Sequence, residues 1–283
     1  EHRVAEPFVD HATWDGYDGR HIGIAMVDLP QAAIKRYFRD LLLFWADPHG
    51  DGSGRDGVDG FRIDHMMDDL DHKGLDKNLF ADFWTPLFRA LKERRPQLRI
   101  LAEQAGWGYG KEWLTRGHAD MVFAFPLRGA LVQLDKQAIV KALRATAAAT
   151  PPGKDQVILL ENHDIDRFMS VVDGDPARAR AGAAIALLLK GEPLIYYGQE
   201  LGMRGRPLKN APVSDGIQIP MREAFRWKAD LSAPGSAIWY QGHQRWWTER
   251  FNRSHDGVSL EEEQARPDSL YHWYRKLLAL RHA

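Results

Sequence analysis

The chain has 283 residues, of which 44% are hydrophobic and 27% are charged, a composition typical of folded globular proteins and not of disordered ones. Its formal net charge is −1 and it has no dense block of Lys or Arg, which argues against nucleic acid or a membrane surface as the main partner. It contains no cysteine, which excludes disulfides and thiolate chemistry, and no apolar run of membrane-spanning length. The opening stretch EHRVAEPF has no signal-like character, so the localisation is unknown.

Five segments are predicted to be helices from the spacing of their apolar residues. They cover residues 31–46, 78–93, 137–149, a segment that begins at 175–176, and 268–283. Pro86 predicts a kink in the second helix, because proline has no N–H to continue the hydrogen-bond ladder. Asp175 and Pro176 mark the start of the fourth helix, since aspartate is a good N-cap and proline suits the first helical position.

Five short apolar runs alternate with these helices. They are GFRID (60–64), LRILAEQ (98–104), ADMVFAFPL (119–127), QVILLENHD (156–164) and EPLIYYGQE (192–200). Strands that alternate with helices predict parallel pairing, and nearly continuous apolar runs predict strands that are buried on both faces. The pattern is typical of α/β proteins and favours the β/α barrel.

Ionisable residues stand at the ends of four of the five runs. They are Arg62 and Asp64, Glu103, His163 and Asp164, and Glu200. In a β/α barrel the reacting groups lie where each strand ends and its loop begins, so the sequence predicts a ring of charge at one rim. Arg62 and Asp64 are two residues apart, which places both side chains on the same side of a strand. The cation there favours the ionised form of the aspartate.

Several motifs together resemble the α-amylase family of retaining glycoside hydrolases (glycoside hydrolase family 13). GVDGFRIDHMMDD, RILAEQ and LLENHDIDRF are similar to the second, third and fourth signature regions of that family. LIYYGQELGM is similar to its motif at the last barrel strand, IPMREAFRW to a segment that some of its members carry soon afterwards, and MVDLP to the motif that closes its inserted second domain. The resemblance implies an α/β fold, the (β/α)8 TIM barrel, and hydrolysis of α-glucosidic bonds in α-glucans or maltooligosaccharides.

The resemblance also implies a role for individual residues. Asp64 would be the nucleophile, Glu103 the general acid/base, and Asp164 a third carboxylate that holds and distorts the sugar. The residues expected to bind substrate are Arg62, His163, Arg167, His65 and Glu200. Retaining hydrolysis needs two carboxyl groups, one ionised to attack and one protonated to release the leaving oxygen. Glu103 follows the apolar run 100–102, where partial desolvation favours the protonated form.

The loop DPHGDGSGRDGVDG between the first helix and the first of the five strands is similar to a calcium-binding loop. Its candidate oxygen donors are Asp47, Asp51 and Asp56, although His49 and Val58 stand where an EF-hand loop has ligands. The other interpretation is a solvated loop rich in turns. The chemistry implied by the resemblance requires no cofactor, so a calcium ion here would be structural.

The sequence departs from the family pattern in two places. Met67 and Asp68 stand where many endo-acting amylases have a Lys-His pair, which puts endo-amylase specificity in doubt. The first signature region is absent. We therefore expect residues 1–28 to be the end of the inserted second domain and residues 29–283 to be a partial barrel, strands four to eight with their helices, in a fragment without a C-terminal β-domain.

Three alternatives remain open. A transglycosylase of the same family would use the same motifs, with an acceptor sugar in place of water. A non-catalytic relative would typically have lost catalytic carboxylates, whereas this chain has all three. A metal-dependent hydrolase built on DHMMDD and NHD lacks a clear ligand spacing such as HExxH. The expected partner is an oligo- or polysaccharide substrate, and neither a nucleic acid nor a membrane.

Overall fold

The computed structural model describes residues 8–15, 20–70, 74, 76–208, 214–237, 251 and 253–283. The strands are β1 (Phe8–Asp15), β2 (His21–Val27), β3 (Gly60–Met66), β4 (Arg99–Gln104), β5 (Met121–Phe123), β6 (Asp155–Ile158) and β7 (Glu192–Pro193). The first two form a two-stranded sheet, and the other five form one sheet in the order β3-β4-β5-β6-β7. The register is parallel between β3 and β4, β4 and β5, and β5 and β6. The prediction of parallel strands is therefore confirmed.

Nine α-helices lie in the described part of the chain. They are α1 (Ala32–Ala46), α2 (Thr85–Arg94), α3 (Lys111–Thr115), α4 (Phe125–Leu131), α5 (Lys136–Ala149), α6 (Phe168–Val171), α7 (Pro176–Leu188), α8 (Leu260–Ala265) and α9 (Leu270–His282). None of the described helices is both long enough and apolar enough to cross a membrane.

The predicted helix boundaries are confirmed at α7 and corrected at α2. The Asp175 side chain accepts hydrogen bonds from the backbone N–H groups of Ala177 (2.8 Å) and Arg178 (3.2 Å), as expected of an N-cap. The segment 79–94 is helical without a break but irregular, because a π-helical turn (Phe80–Trp84) leads directly into α2. Pro86 directly follows this turn, and proline and π-helical turns are both recognised causes of irregularity in a helix.

Three predicted strands are shorter in the structure than their apolar runs, and the run 156–164 gives only β6. The run 119–127 gives only β5, because helix α4 already begins at Phe125. The run 192–200 gives only β7, after which the Leu194 N–H donates to the Ile158 carbonyl oxygen (2.8 Å). Apolar runs of this length do not distinguish a strand from the start of a buried helix.

The chain divides into two compact units. The first consists of the described residues within 1–13, 23–126 and 143–157, and its core packs the inner faces of α1, α2 and the π-turn against β3 and β4. The second consists of those within 14–22, 127–142 and 158–283, where α7 and α9 form the main helix contact. The predicted domain boundary at residues 28/29 stays a prediction, and 1–7 and 16–19 within it lie outside the described residues.

Candidate active site

The first candidate site lies in the first unit, where β3 and β4 end side by side. Arg62 pairs with Leu101 and Ile63 with Ala102 in a parallel register, so the residues that follow reach the same edge of the sheet. The register then shifts before Met66 pairs with Gln104, which leaves the strand locally irregular. Irregularities of this kind change the direction of a side chain and are common beside active sites.

The irregularity lies at Asp64 and His65. His65 has a φ of 42°, which is uncommon for a residue other than glycine. Its backbone N–H donates to the Oε2 atom of Glu103 (3.2 Å), so the unusual backbone ties β3 to the carboxyl group at the end of β4. The His65 side chain is exposed at the same edge.

Arg62 bridges the two carboxyl groups. Its Nη1 donates to Asp64 Oδ1 in a very short contact, and its Nη2 donates to Glu103 Oε2 at 2.7 Å. The expected contact between Arg62 and Asp64 is therefore present. Glu103 is 2% exposed, as its apolar run predicts, but it is not in an apolar environment because its Oε2 accepts two hydrogen bonds.

The two carboxyl groups are close together. One oxygen of Asp64, one oxygen of Glu103 and one ring nitrogen of His65 all lie within 4.8 Å of one another. Retaining glycosidases separate their two carboxyl groups by about 5–5.5 Å, whereas inverting enzymes need about 6.5–9.5 Å to hold a water molecule. The approach of one oxygen from each group to within 4.8 Å is compatible with the retaining spacing.

The electrostatics suit Asp64 as the ionised partner. Partial burial alone would raise the pKa of Asp64, but the hydrogen bond and charge of Arg62 outweigh it, and Glu103 and His65 act in the same direction as Arg62. The pKa of Asp64 is therefore held below its usual value of 3.8. The Asp64 side chain is 71% exposed and can be reached from solvent, whereas Glu103 is buried.

The same three side chains are the one group, among the described residues, whose spacing could hold a metal ion. The set does not fit a metal well, because the Arg62 guanidinium already lies against both carboxyl groups. A cation placed there would have to displace a permanent positive charge, at a cost in electrostatic repulsion.

A second group of charged residues surrounds Asp164 in the second unit. The Asp164 carboxylate pairs with Arg222 Nη2 through Oδ1 (3.0 Å) and with His163 Nε2 through Oδ2 (3.2 Å). Its backbone N–H donates to the Asn162 side-chain oxygen (2.8 Å), which fixes the turn after β6. Both oxygens of Asp164 are held, and 19% of the side chain is exposed to a ligand.

The prediction that Arg167 binds substrate is wrong. Arg167 is 0% exposed and pairs at 2.9 Å with Glu161, which is also 0% exposed. The guanidinium stacks over the Tyr196 and Tyr197 rings, 4.2 and 4.8 Å from their centroids. Part of the charge at the end of β6 therefore forms a buried ion pair that fixes the loop, and no sugar can reach it.

Glu200 is largely buried as well. Burial raises its pKa, which backbone hydrogen bonds and the charge of Arg167 only partly offset. Its buried Oε2 has no hydrogen-bond partner among the described residues. These surroundings favour a neutral carboxyl group that braces the loop after β7, and the predicted contact with substrate stays a prediction.

The three aspartates of the predicted calcium loop are not brought together as a ligand set. Asp47 is buried and accepts from the Gly52 N–H (2.8 Å), and Asp51 accepts from the Ser53 N–H (2.9 Å). Asp56 pairs instead with His49 (3.0 Å). Because local turns and an ion pair use these carboxylates separately, the predicted calcium site does not fit, and the interpretation as a turn-rich loop is favoured.

Sequence reasoning missed an aromatic platform after Glu103. Trp107 stacks on Phe125 (centroids 4.6 Å apart, planes at 17°) and remains 39% exposed. Its φ of 51° is unusual for a bulky residue, and the side chain of Gln104 donates to the Gly108 carbonyl oxygen (2.8 Å) to fix the loop. The sequence signal was a tryptophan flanked by two glycines directly after an acidic strand end.

Parallel strands with intervening helices, and a close pair of carboxyl groups at the strand ends, define part of a β/α-barrel domain. Residues 21–283 match the family model described as "Alpha amylase, catalytic domain". The chain belongs to this family.

Individual relatives agree with this assignment. The chain is 28% identical over 258 residues to alpha-amylase 3 of Dictyoglomus thermophilum, a match that covers 88% of this chain and 45% of that protein. It is 28% identical over 224 residues to the 4-alpha-glucanotransferase of Thermotoga neapolitana, which covers 76% of this chain and 44% of that protein. The crystal structure of the alpha-amylase from H. orenii matches with a TM-score of 0.71 at 23% identity, covering 98% of this chain and 56% of the other. The chain therefore spans less than half of the length of these two sequence relatives.

Proposed function

We propose that the protein is a retaining α-glycoside hydrolase that acts on α-glucosidic bonds of α-glucans or maltooligosaccharides. The observation that carries the proposal is the pair of carboxyl groups of Asp64 and Glu103, bridged by Arg62 and close enough for a retaining mechanism. Membership of the α-amylase family supports the substrate class.

In the first step, Asp64 Oδ attacks the anomeric carbon while Glu103 gives its proton to the leaving glycosidic oxygen. The carbon–oxygen bond to the leaving sugar breaks, and an ester bond to Asp64 forms. In the second step, Glu103 takes a proton from water, whose oxygen attacks the anomeric carbon and releases Asp64 as a carboxylate. Two inversions at one carbon return the original α-configuration.

Arg62 serves both carboxyl groups in this scheme. Its charge keeps Asp64 ionised and ready to attack, which the lowered pKa of Asp64 supports. Its hydrogen bond to Glu103 fixes the orientation of the acid/base, whose proton must reach the leaving oxygen along one direction. In the proposal, Asp164 and His163 bind the hydroxyl groups of the reacting sugar.

Two variants of the active protein that carries this chain test the proposal. Asp64→Asn removes the nucleophile and is expected to lower turnover of maltooligosaccharides at least about a thousandfold while the substrate still binds. Glu103→Ala is expected to lose activity on maltooligosaccharides. It is expected to keep the first step of the reaction with α-glucosyl fluoride, because the fluoride leaving group needs no protonation. Glu112→Gln is the control, because its side chain is 66% exposed on α3. Substantial activity in Asp64→Asn would overturn the assignment.

A second candidate function is sugar transfer by the same residues. It is favoured by the similarity to a 4-alpha-glucanotransferase. In that case an acceptor hydroxyl replaces water in the second step, and the Asp64 ester is transferred to another sugar. Product analysis separates the two, because transfer from maltotriose gives longer oligosaccharides whereas hydrolysis gives only shorter ones.

A further inference from the structure

In the segment 219–227, the charged side chain of Arg222 is partly exposed although several residues beside it are buried. Ile219, Met221 and Glu223 are 6%, 0% and 4% exposed, so they fix the segment in the second unit. Arg222 lies between two of them and keeps 38% of its side chain exposed. Because its neighbours are buried, packing fixes the backbone from which the Arg222 side chain extends.

Backbone contacts hold the segment firmly in place. The Tyr197 hydroxyl donates to the Glu223 carbonyl oxygen (2.8 Å), and the Leu208 N–H donates to the Ile217 carbonyl oxygen (2.9 Å). The backbone of Gly205 passes so close to Pro220 that a Cβ atom at 205 would lie 2.1 Å from the Pro220 oxygen. A glycine is therefore required at 205, and the segment has little freedom to move.

The guanidinium of Arg222 holds the turn that carries Asp164 at two points. Its Nε donates to the His163 carbonyl oxygen (3.0 Å), and its Nη2 donates to Asp164 Oδ1 (3.0 Å). A further short contact links Nη2 to the Gln218 side chain, which steadies the guanidinium from its own segment. The planar guanidinium of an arginine can donate to these two acceptors from two separate nitrogens, whereas a lysine side chain has a single nitrogen.

The hydrogen bonds from Arg222 leave Asp164 able to bind a ligand. An ionised carboxylate has about four lone-pair sites, and the contacts with Arg222 and His163 use one on each oxygen. The remaining sites can accept hydrogen bonds from sugar hydroxyls. An acceptor that is fixed in one orientation before the sugar binds does not have to be ordered during the reaction.

We propose that Arg222 is a positioning residue that fixes Asp164 in the orientation needed by the reacting sugar. This inference rests on the proposed function and extends it to the segment 219–227. Arg222 acts through Asp164, so removing it weakens interactions that are strongest in the transition state and lowers kcat more than it raises KM.

The test compares Arg222→Ala and Arg222→Lys with Arg206→Ala in the active protein that carries this chain. Arg206 is a matched control, because it is 46% exposed and pairs with Asp173 in the same unit. Arg222→Ala is expected to lower kcat for maltooligosaccharides roughly tenfold to hundredfold, the value of a lost charge-assisted hydrogen bond, with a smaller change in KM. Added guanidinium ion is expected to restore part of kcat, and Arg206→Ala to remain within about twofold of the wild type.

A double-mutant cycle with Asp164→Asn separates positioning from simple folding. If Arg222 acts through Asp164, its removal has little further effect once Asp164 has lost its charge. An equal loss in both backgrounds, without rescue by guanidinium, would mean that Arg222 only supports the fold. If Arg222→Ala does not fold, Arg222→Lys decides, since lysine keeps the positive charge but lacks the planar fork whose Nε and Nη2 contact His163 and Asp164. Full activity of Arg222→Lys would contradict the inference. If Arg222→Ala has normal activity while Asp64→Asn is inactive, the positioning role of Arg222 is rejected. The proposed function is not affected by that result.

Discussion

Replacing Glu223 by Gln is expected to remove a pH-dependent loss of stability. Glu223 is 4% exposed, and burial raises its pKa from the usual 4.5 to about 8, with Asp256 acting in the same direction and Arg226 and Arg167 opposing. The folded protein therefore holds this proton up to about pH 8, whereas the unfolded chain releases it near pH 4.5. The stabilisation is fully present below the unfolded pKa and is lost as the pH rises through the folded pKa.

The size of the effect follows from the two pKa values. Each pH unit between them costs about 1.4 kcal/mol, which gives a loss of roughly 3 kcal/mol between pH 5 and pH 7.5 and at most about 5 kcal/mol in total. Local relaxation and entry of water reduce this figure, because they stabilise the ionised form of the carboxyl group. Gln has nearly the same shape as Glu and does not ionise, so the variant keeps the packing of Glu223 and loses the pH dependence.

Urea unfolding at a series of pH values measures the effect. The chain has 10 tryptophans, so their fluorescence reports the transition. The free energy of unfolding of the wild type, relative to that of Glu223→Gln, is expected to fall steadily from pH 5 to pH 8. Glu112→Gln, on an exposed side chain, is expected to show no such trend. A constant difference between wild type and Glu223→Gln at all pH values would mean that burial does not raise the pKa of Glu223 in the folded protein.

Three further predictions concern the candidate active site. Arg62→Met removes the charge that lowers the pKa of Asp64, so the acid limb of the kcat/KM profile is expected to move to higher pH, with kcat reduced roughly a hundredfold; an unchanged limb contradicts this role. Trp107→Ala is expected to raise KM for maltooligosaccharides roughly fivefold to tenfold, because one aromatic stacking contact with the sugar is lost. Trp227→Ala is the control and is expected to have no effect, since Trp227 is a second exposed tryptophan (55%). Activity is expected to survive EDTA, because Arg62 lies where a metal would bind; complete loss with EDTA, restored by a divalent ion, contradicts the mechanism.

The sequence predicts those features that depend on local patterns. The N-cap at Asp175 and the parallel strands follow from residue type and apolar spacing, and the structure contains both. The contact of Arg62 with Asp64 follows from the two-residue repeat of a strand. Burial of Glu103 follows from the apolar run before it.

The remaining features depend on contacts that no local pattern records. Arg167 looks like a polar residue at a strand end, but Tyr196 and Tyr197, about thirty positions later, close over it. Arg222 lies 58 positions from Asp164, and nothing in the spacing of the two residues predicts their ion pair. The local turns that use Asp47 and Asp51, and the ion pair between Asp56 and His49, are also not encoded in the Asp and Gly spacing of the loop.

In the proposed mechanism, Asp64 forms a covalent bond with the sugar. The most direct measurement is mass spectrometry of the active protein after incubation with a fluorinated α-glucosyl fluoride that forms the glycosyl ester quickly and hydrolyses slowly. An added mass of one modified sugar is expected on the peptide that contains Asp64, and no label is expected in Asp64→Asn. A label on another residue, or no label together with a product of inverted configuration, would contradict this mechanism.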